Sequence, residues 1–222
     1  MLVFISYLDL KKREVPDKVW IIFGLAGIFL HLVGFSQGES MSLHLLWPIG
    51  LTALIAYGLY FLGFYGGADA KALITLSVIL PYYEPSFYFH RFASLITLTN
   101  GIIITLSLPF FFLIYNSLKL LRGERIFEGF EDESKIRKFL ALCLGFRSKK
   151  VRKFMFPLEK EEEGKRRFEF KLFGWYDEYT MAKDKWITPA IPLLIFISAG
   201  YLSMILFGDI IFFLMSRIFL GT

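Results

Sequence analysis

The chain has 222 residues, 55% of them apolar and 26 of them Phe, and its 25 basic and 20 acidic residues leave a formal net charge of +5. Of those 45 charges, 31 lie between Lys119 and Trp186, and seven of the remaining 14 lie between Asp9 and Lys18. The rest of the chain is long apolar runs that a soluble fold of this size has no interior to hide, the signature of membrane-spanning helices. The lone cysteine, Cys143, excludes a disulfide framework and a CxxC metal or redox site.

Crossing the hydrocarbon core takes roughly 20 apolar residues. The first run, Met1 to Leu8, has only eight. It lacks the basic n-region and small-residue cleavage site of a signal peptide. It reads as the inner end of a first helix whose outer half is absent from this sequence; a short, tilted helix is the alternative. Residues 19–35 and 43–64 are the next two spans. Residues 70–83 form a short apolar fourth helix, with Lys71 near its start. Residues 92–118 are the fifth span and residues 187–207 the sixth. The apolar tail, residues 210–220, lies in the interface or re-enters the bilayer. The charged stretch between the last two spans is too long for a plain loop. Within it, residues 131–153 mix charged and apolar side chains as an amphipathic helix does. Residues 167–173 alternate with the period of a strand, and the charge run 159–167 reads as a solvated turn or loop.

Lys and Arg set the orientation. The segments 9–18, 66–71 and 119–186 hold 4, 1 and 18 of the 25 basic residues. All three therefore face the cytoplasm, with the N-terminus outside. This topology explains the net charge without nucleic acid. The expected architecture is mainly α: a polytopic membrane helical bundle of about six helices, the first one short, with a small α+β cytoplasmic insert between helices 5 and 6. Residues 1–118 hold membrane helices 1–5 and the catalytic loops, 119–186 the cytoplasmic insert, and 187–222 the last membrane helix and the apolar tail.

Ionisable residues within or beside a span need a reason. Asp9 ends the first apolar run, and Asp69 and Lys71 open the fourth helix. Asp9 and Asp69 both fall at the cytoplasmic mouth of a span, at one depth. If their helices are neighbours, the two carboxylates face each other and share a proton. The ionised one then takes a proton from water while the protonated one hydrogen-bonds the carbonyl under attack, with no metal and no covalent intermediate. Such a pair titrates as a unit. The plainer readings are an interfacial charge at a helix end for Asp9 and a helix N-terminal acid for Asp69. Lys71 pairs with either acid or snorkels to the interface.

Three local sequences carry a resemblance. Gly66-Gly67-Ala68-Asp69, followed by Lys71, resembles the GxGD motif of intramembrane aspartic proteases. Asp9, the basic run Lys11-Lys12-Arg13 and Val15-Pro16 resemble the other motif of the prepilin and preflagellin peptidases. Trp186-Ile187-Thr188-Pro189-Ala190-Ile191-Pro192, placed at the start of the last helix, is similar to a proline-containing segment of the archaeal preflagellin peptidases. Together the motifs, their order and the helix count cover nearly the whole chain. The resemblance implies that Asp9 and Asp69 are the catalytic pair, that Gly66, Gly67, Ala68 and Lys71 form the motif loop, and that no cofactor or metal is used. Ala68 stands where the family pattern has Gly, which puts in doubt a loop needing positive φ at that position. The cytoplasmic CxxC pairs common in bacterial prepilin peptidases are missing, which points to the archaeal, peptidase-only branch. The implied partners are a preflagellin or pilin-like precursor and the lipid of the cell membrane. The implied reaction is removal of a short basic leader at the cytoplasmic face. Glu14 and Asp17 could meet the leader's positive charge, or be solvated loop charges. Thr188, Pro189 and Pro192 are the other candidate substrate-binding residues.

Two other classes remain open at this stage. A transporter or proton-coupled carrier uses intramembrane acids as relays, but the chain has no matched pair of broken helices. A non-catalytic membrane anchor with a cytoplasmic interaction domain would leave both aspartates dispensable.

Overall fold

The computed structural model describes residues 1–37, 43–84, 88–149, 154–162, 164–170, 184–190 and 192–219. These residues are mostly helical, with a few short antiparallel strands toward the C-terminal part. They divide into two compact units, Met1–Thr105 with Pro192–Thr222, and Leu106–Ile191.

The first unit contains α1 (Leu2–Lys12), α2 (Asp17–Ser36), α3 (Leu46–Phe61), α4 (Gly67–Ile79), α5 (Ala93–Thr105), α8 (Leu193–Phe207) and α9 (Ile210–Phe219). Each boundary has a local cause. Arg13 closes α1 in the left-handed conformation (φ 57°), its N–H donating to the Asp9 carbonyl. Pro16, with no N–H to donate, precedes α2, and Asp17 adds a carboxylate at its positive end. Beyond α3, Gly63 takes φ 77°, and the Gly63 and Phe64 N–H groups donate to the Tyr60 and Leu59 carbonyls. That is a Schellman stop, and the positive φ is why Gly stands there. The chain then turns directly into α4.

Two links set α2 and α4 side by side in the same direction. Lys71 Nζ donates to Asp17 Oδ1 at the start of both helices, and His31 Nε2 meets the Val78 carbonyl at 2.9 Å toward their ends. α1 lies against α8, and α4 against α2 and α3. One apolar cluster joins them: Leu2 and Ile5 of α1, Trp20 of α2, Ala56 of α3, Ala70 and Leu73 of α4, and Leu194 and Ile197 of α8. α5 and α8 meet backbone to backbone at Gly101 and Gly200, where a Cβ on Gly200 would sit 2.3 Å from the Thr97 carbonyl oxygen. Small residues at such a crossing let helix backbones meet where lipid provides no hydrophobic drive for association. Between α8 and α9 the axis bends by 52°. The buried Asn100 holds both sides of the break, its amide donating to the Gly208 carbonyl and its oxygen accepting the Ile210 N–H.

Among the described residues, α2 and the stretch Ala93–Leu121, which contains α5 and α6 (Ser107–Leu121), are long and apolar enough to cross a membrane. The bent pair α8–α9 makes a third if it is one span, and α3 is a shorter apolar helix. α2 exposes Ile21, Ile22, Leu25, Phe29 and Leu30, a face that water does not tolerate and lipid does. The chain is a membrane protein with two or three candidate spans. α1 and α4, with 11 and 13 residues, are too short to count among them by length alone. The last helix also begins later than its apolar pattern suggests. Lys185–Pro189 is strand β5, and Pro192 stands at the N-cap of α8. The prolines explain the shift, because neither can donate inside a helix.

The second unit holds α6, α7 (Lys135–Leu144) and five strands: β1 (Phe146–Ser148), β2 (Met155–Pro157), β3 (Glu159–Glu162), β4 (Lys165–Phe168) and β5. β5 is central in a three-stranded antiparallel sheet of order β1-β5-β2, and β3 and β4 form a hairpin. α7 is shorter than the predicted amphipathic stretch because Gly145 ends it and the chain enters β1; residues 150–153 of that stretch lie outside the described residues. The predicted strand at 167–173 overlaps β4 only at Arg167 and Phe168; Glu169 and Phe170 follow outside any strand, and residues 171–173 lie outside the described residues.

The charge run expected to be a solvated loop is the β3–β4 hairpin, with Gly164 at φ 73° in its turn. Its first carboxylate is buried. Glu159 accepts two close contacts from Arg166 Nη2, at 2.9 and 2.8 Å, and the Trp186 backbone N–H at 2.9 Å. These partners compensate the cost of burying the charge. Around them lies an aromatic core in which Phe130 stacks on Phe168 at 4.2 Å between centroids and Phe168 meets Trp186 edge-on. The Trp186 indole N–H donates to the Ile126 carbonyl.

Candidate active site

Asp69 is the third residue of α4 and is 8% exposed. Gly66, the residue before the helix, is extended (φ −80°, ψ 160°), and its N–H donates to Asp69 Oδ2 at 3.0 Å. This is the backward half of a capping box. It satisfies an orphan donor, and it holds the carboxylate at the positive end of the helix.

The small residues before Asp69 are not required by φ, and a Cβ at either glycine would make only ordinary van der Waals contact. Gly66, Gly67 and Ala68 all have negative φ. A Cβ at Gly66 would lie 3.4 Å from Asp69 Oδ2, and one at Gly67 would lie 3.6 Å from the Tyr60 ring. Ala68 sits in the first turn of α4, a conformation Ala prefers to Gly. The departure from GxGD at Ala68 therefore costs the backbone nothing. Tyr65, which the motif reading passed over, ties the loop down. It is buried, and its phenol donates to the Ala56 carbonyl of α3 at 3.0 Å. An aromatic hydroxyl directly before two glycines was the available signal.

Asp9 is half-buried in the last full turn of α1. Two charges act on it or through it: Arg13 acts electrostatically on Asp9, and Asp9 acts on Asp69. The structure thus brings the two acids within electrostatic reach, although 60 residues separate them and α1 packs mainly on α8. Lys71 pairs with neither of them. Its ammonium meets Asp17, so Lys71 and Asp17 form a staple between the first turns of α4 and α2. Glu14 is exposed in the α1–α2 connection. Thr188 and Pro189 belong to β5, where they pair with Phe156 and Met155 of β2, so they do not open the last helix. Pro192 caps α8 in the first unit.

An apolar helical unit with an acid pair at the mouths of two helices, one of them behind a small-residue loop, defines a membrane-embedded class of protein, and the comparisons identify it. Residues 1–118 match the type IV leader peptidase family, and residues 132–210 match the archaeal peptidase A24 C-terminus of type II. The chain belongs to the type IV leader peptidase family. It is similar over 94% of its length to the preflagellin peptidase of Methanococcus maripaludis, with 26% identity over 92% of that protein. The preflagellin peptidases of Methanocaldococcus jannaschii and Methanococcus voltae match at 26% and 24% identity, over 91% and 92% of their lengths.

Proposed function

We propose that this chain is an aspartic endopeptidase that removes the short basic leader from preflagellin or a pilin-like precursor, with Asp9 and Asp69 as the catalytic pair. The observation that carries the reading is the electrostatic convergence of these two acids within the region that matches the leader peptidase family. The names of the three relatives support the choice of precursor.

The chemistry follows from the arrangement. One carboxylate of the pair, ionised, takes a proton from a water between them as that water attacks the scissile carbonyl. The other, protonated, donates to the carbonyl oxygen as negative charge develops there. A proton then passes to the nitrogen of the scissile bond as its C–N bond breaks, which releases the leader as a carboxylic acid and leaves the shortened precursor with a new N-terminal amine. The Gly66 N–H keeps Asp69 from swinging into solvent, so little ordering is left for the moment of reaction. The precursor's apolar helix packs against the unit from the lipid, and its leader peptide bond reaches the carboxylates at the membrane face.

The finer topology belongs to the same proposal. About six helices, α1 and α4 included, sit in the cell membrane as a multi-pass bundle surrounded by lipid, with the acid pair and the charged second unit facing the cytoplasm. The asymmetry of Lys and Arg supports that orientation. Glu14 is the exposed acid we assign to the basic leader, because Asp17 is already occupied by Lys71. Thr188, Pro189 and Pro192 remain candidate substrate contacts.

The test is cleavage of a preflagellin precursor by the purified chain in lipid, read as a shortened product. Asp9→Asn and Asp69→Asn should each abolish it. Wild-type turnover in either variant would overturn the pair.

A further inference from the structure

The helix that carries Asp9 is anchored in an unusual way. α1 buries three residues, Leu2, Ile5 and Ser6, and Ser6 is the polar one. Its neighbours Val3, Phe4, Tyr7 and Leu10 are apolar and exposed. In lipid, apolar burial distinguishes poorly between one rotation of such a helix and another, because tails and side chains are equally apolar. Something more directional must set which way Asp9 points.

Hydrogen bonds to α8 have that direction. The Ser6 hydroxyl donates to the Leu194 carbonyl at 3.0 Å, and Ser6 Oγ lies 2.7 Å from Ser198 Oγ. Ser198 Oγ is also 2.8 Å from the Leu194 carbonyl and 3.3 Å from the Leu2 carbonyl of α1. With Ser6 donating to Leu194, Ser198 donates to Ser6, and the two hydroxyl protons close the chain. α1 is thus held to α8 at Ser6, and the Leu2 carbonyl one turn earlier is an alternative acceptor for the Ser198 hydroxyl. Asp9 follows Ser6 by three residues. That is the same helix face, about 4.5 Å further along the axis. Turning α1 enough to break the Ser6 contacts turns Asp9 by the same angle.

We propose that Ser6 and Ser198 form a positioning pair that sets the rotation of α1 and so aims Asp9 at Asp69. The inference rests on the reading of those acids as the catalytic pair. The serines touch neither water nor substrate in this scheme; they act through Asp9. The Leu194 carbonyl that receives Ser6 lies in the first turn of α8, just after Pro192. The start of the last helix therefore has a stated task, which is to present that carbonyl to α1.

The experiment measures precursor cleavage by the full chain in lipid nanodiscs, with folding followed separately by thermal unfolding. Ser6→Ala and Ser198→Ala should each lower kcat about tenfold or more with KM within about twofold, because misaiming a reacting group costs rate and spares substrate binding. The double variant should be no worse than the weaker single one, since both changes break one unit. Ser198→Thr, which keeps the hydroxyl, should recover most of kcat. Wild-type kcat in both alanine variants would overturn the inference while leaving the aspartate pair intact. A fall in kcat matched by loss of folded protein and not recovered by Ser198→Thr would also overturn it, assigning the serines to stability alone. A wild-type chain that leaves the precursor uncut would overturn the catalytic reading and this inference with it.

Discussion

The Gly66 N–H donates to Asp69 Oδ2 at 3.0 Å, so the small-residue loop is the backbone cap that fixes the acid it precedes. The glycines and Ala68 have ordinary negative φ. What the motif supplies here is the Gly66 backbone N–H beside the carboxylate.

This makes restoring the usual glycine a loss. Ala68→Gly places Gly inside the first turn of α4, at a cost of up to about 1 kcal/mol. Thermal unfolding should shift slightly down, and precursor cleavage should not rise. A gain in activity would mean that the loop needs a conformation absent from this structure.

The Lys71–Asp17 staple should matter little for stability. The two side chains are 39% and 73% exposed, and exposed pairs contribute about 0.2–1 kcal/mol at most. Asp17→Asn and Lys71→Gln should each lower the unfolding midpoint marginally, and together no more than either alone. Salt added to the wild type should imitate the effect by screening. A double-mutant cycle read by thermal unfolding checks this.

Gly200→Ala should be far more damaging. Its Cβ would lie 2.3 Å from the Thr97 carbonyl oxygen and 2.5 Å from the Gly101 nitrogen. Both are backbone atoms, so relief requires α5 and α8 to move apart. Overpacking of this kind costs about 1–3 kcal/mol or more. The expected outcome is a clear drop in thermal midpoint and in the yield of folded protein from membranes.

Acid should loosen the second unit first around Asp184. Hydrogen bonds from Arg147 Nε and Nη2, at 2.8 and 2.7 Å, hold the Asp184 carboxyl below the usual carboxylate range, with the charges of Arg147, Arg166 and Lys149 adding to them. A depressed carboxyl contributes stability that is fully present above its unfolded value, about 3.9. That contribution is lost as pH falls through the lower folded value. Between about pH 5 and 2, amide exchange in β1 and β5, corrected for intrinsic rate, should quicken in the wild type. In Asp184→Asn it should start faster and change less.

Much of this protein was legible in one dimension. Charge sorted by position exposed the apolar spans, and the few acids left outside the charged stretch included Asp9 and Asp69. Other features were not. The run from Glu159 to Arg167 looked solvated because charge usually is, and only pairing with Arg166 and Trp186 makes a buried Glu159 tolerable. Residues 187–189 looked like helix because Ile-Thr-Pro beside an apolar run has no strand alternation to betray it; their partners in β1 and β2 lie 30 to 41 residues upstream.

Composition and order by themselves determined that the chain enters a membrane and which two acids stand at the mouths of apolar helices, because burying or exposing a charge is decided residue by residue against water and lipid. Only the tertiary structure decided how those acids are held. The cap from Gly66, the Tyr65 anchor on Ala56, the Lys71 pairing with Asp17 and the Ser6–Ser198 seam are all short-range and directional. Hydrogen bonds of that kind act over about 3 Å, and two of these four, Lys71–Asp17 and Ser6–Ser198, join segments far apart in the chain. No composition or period records them before the helices have packed.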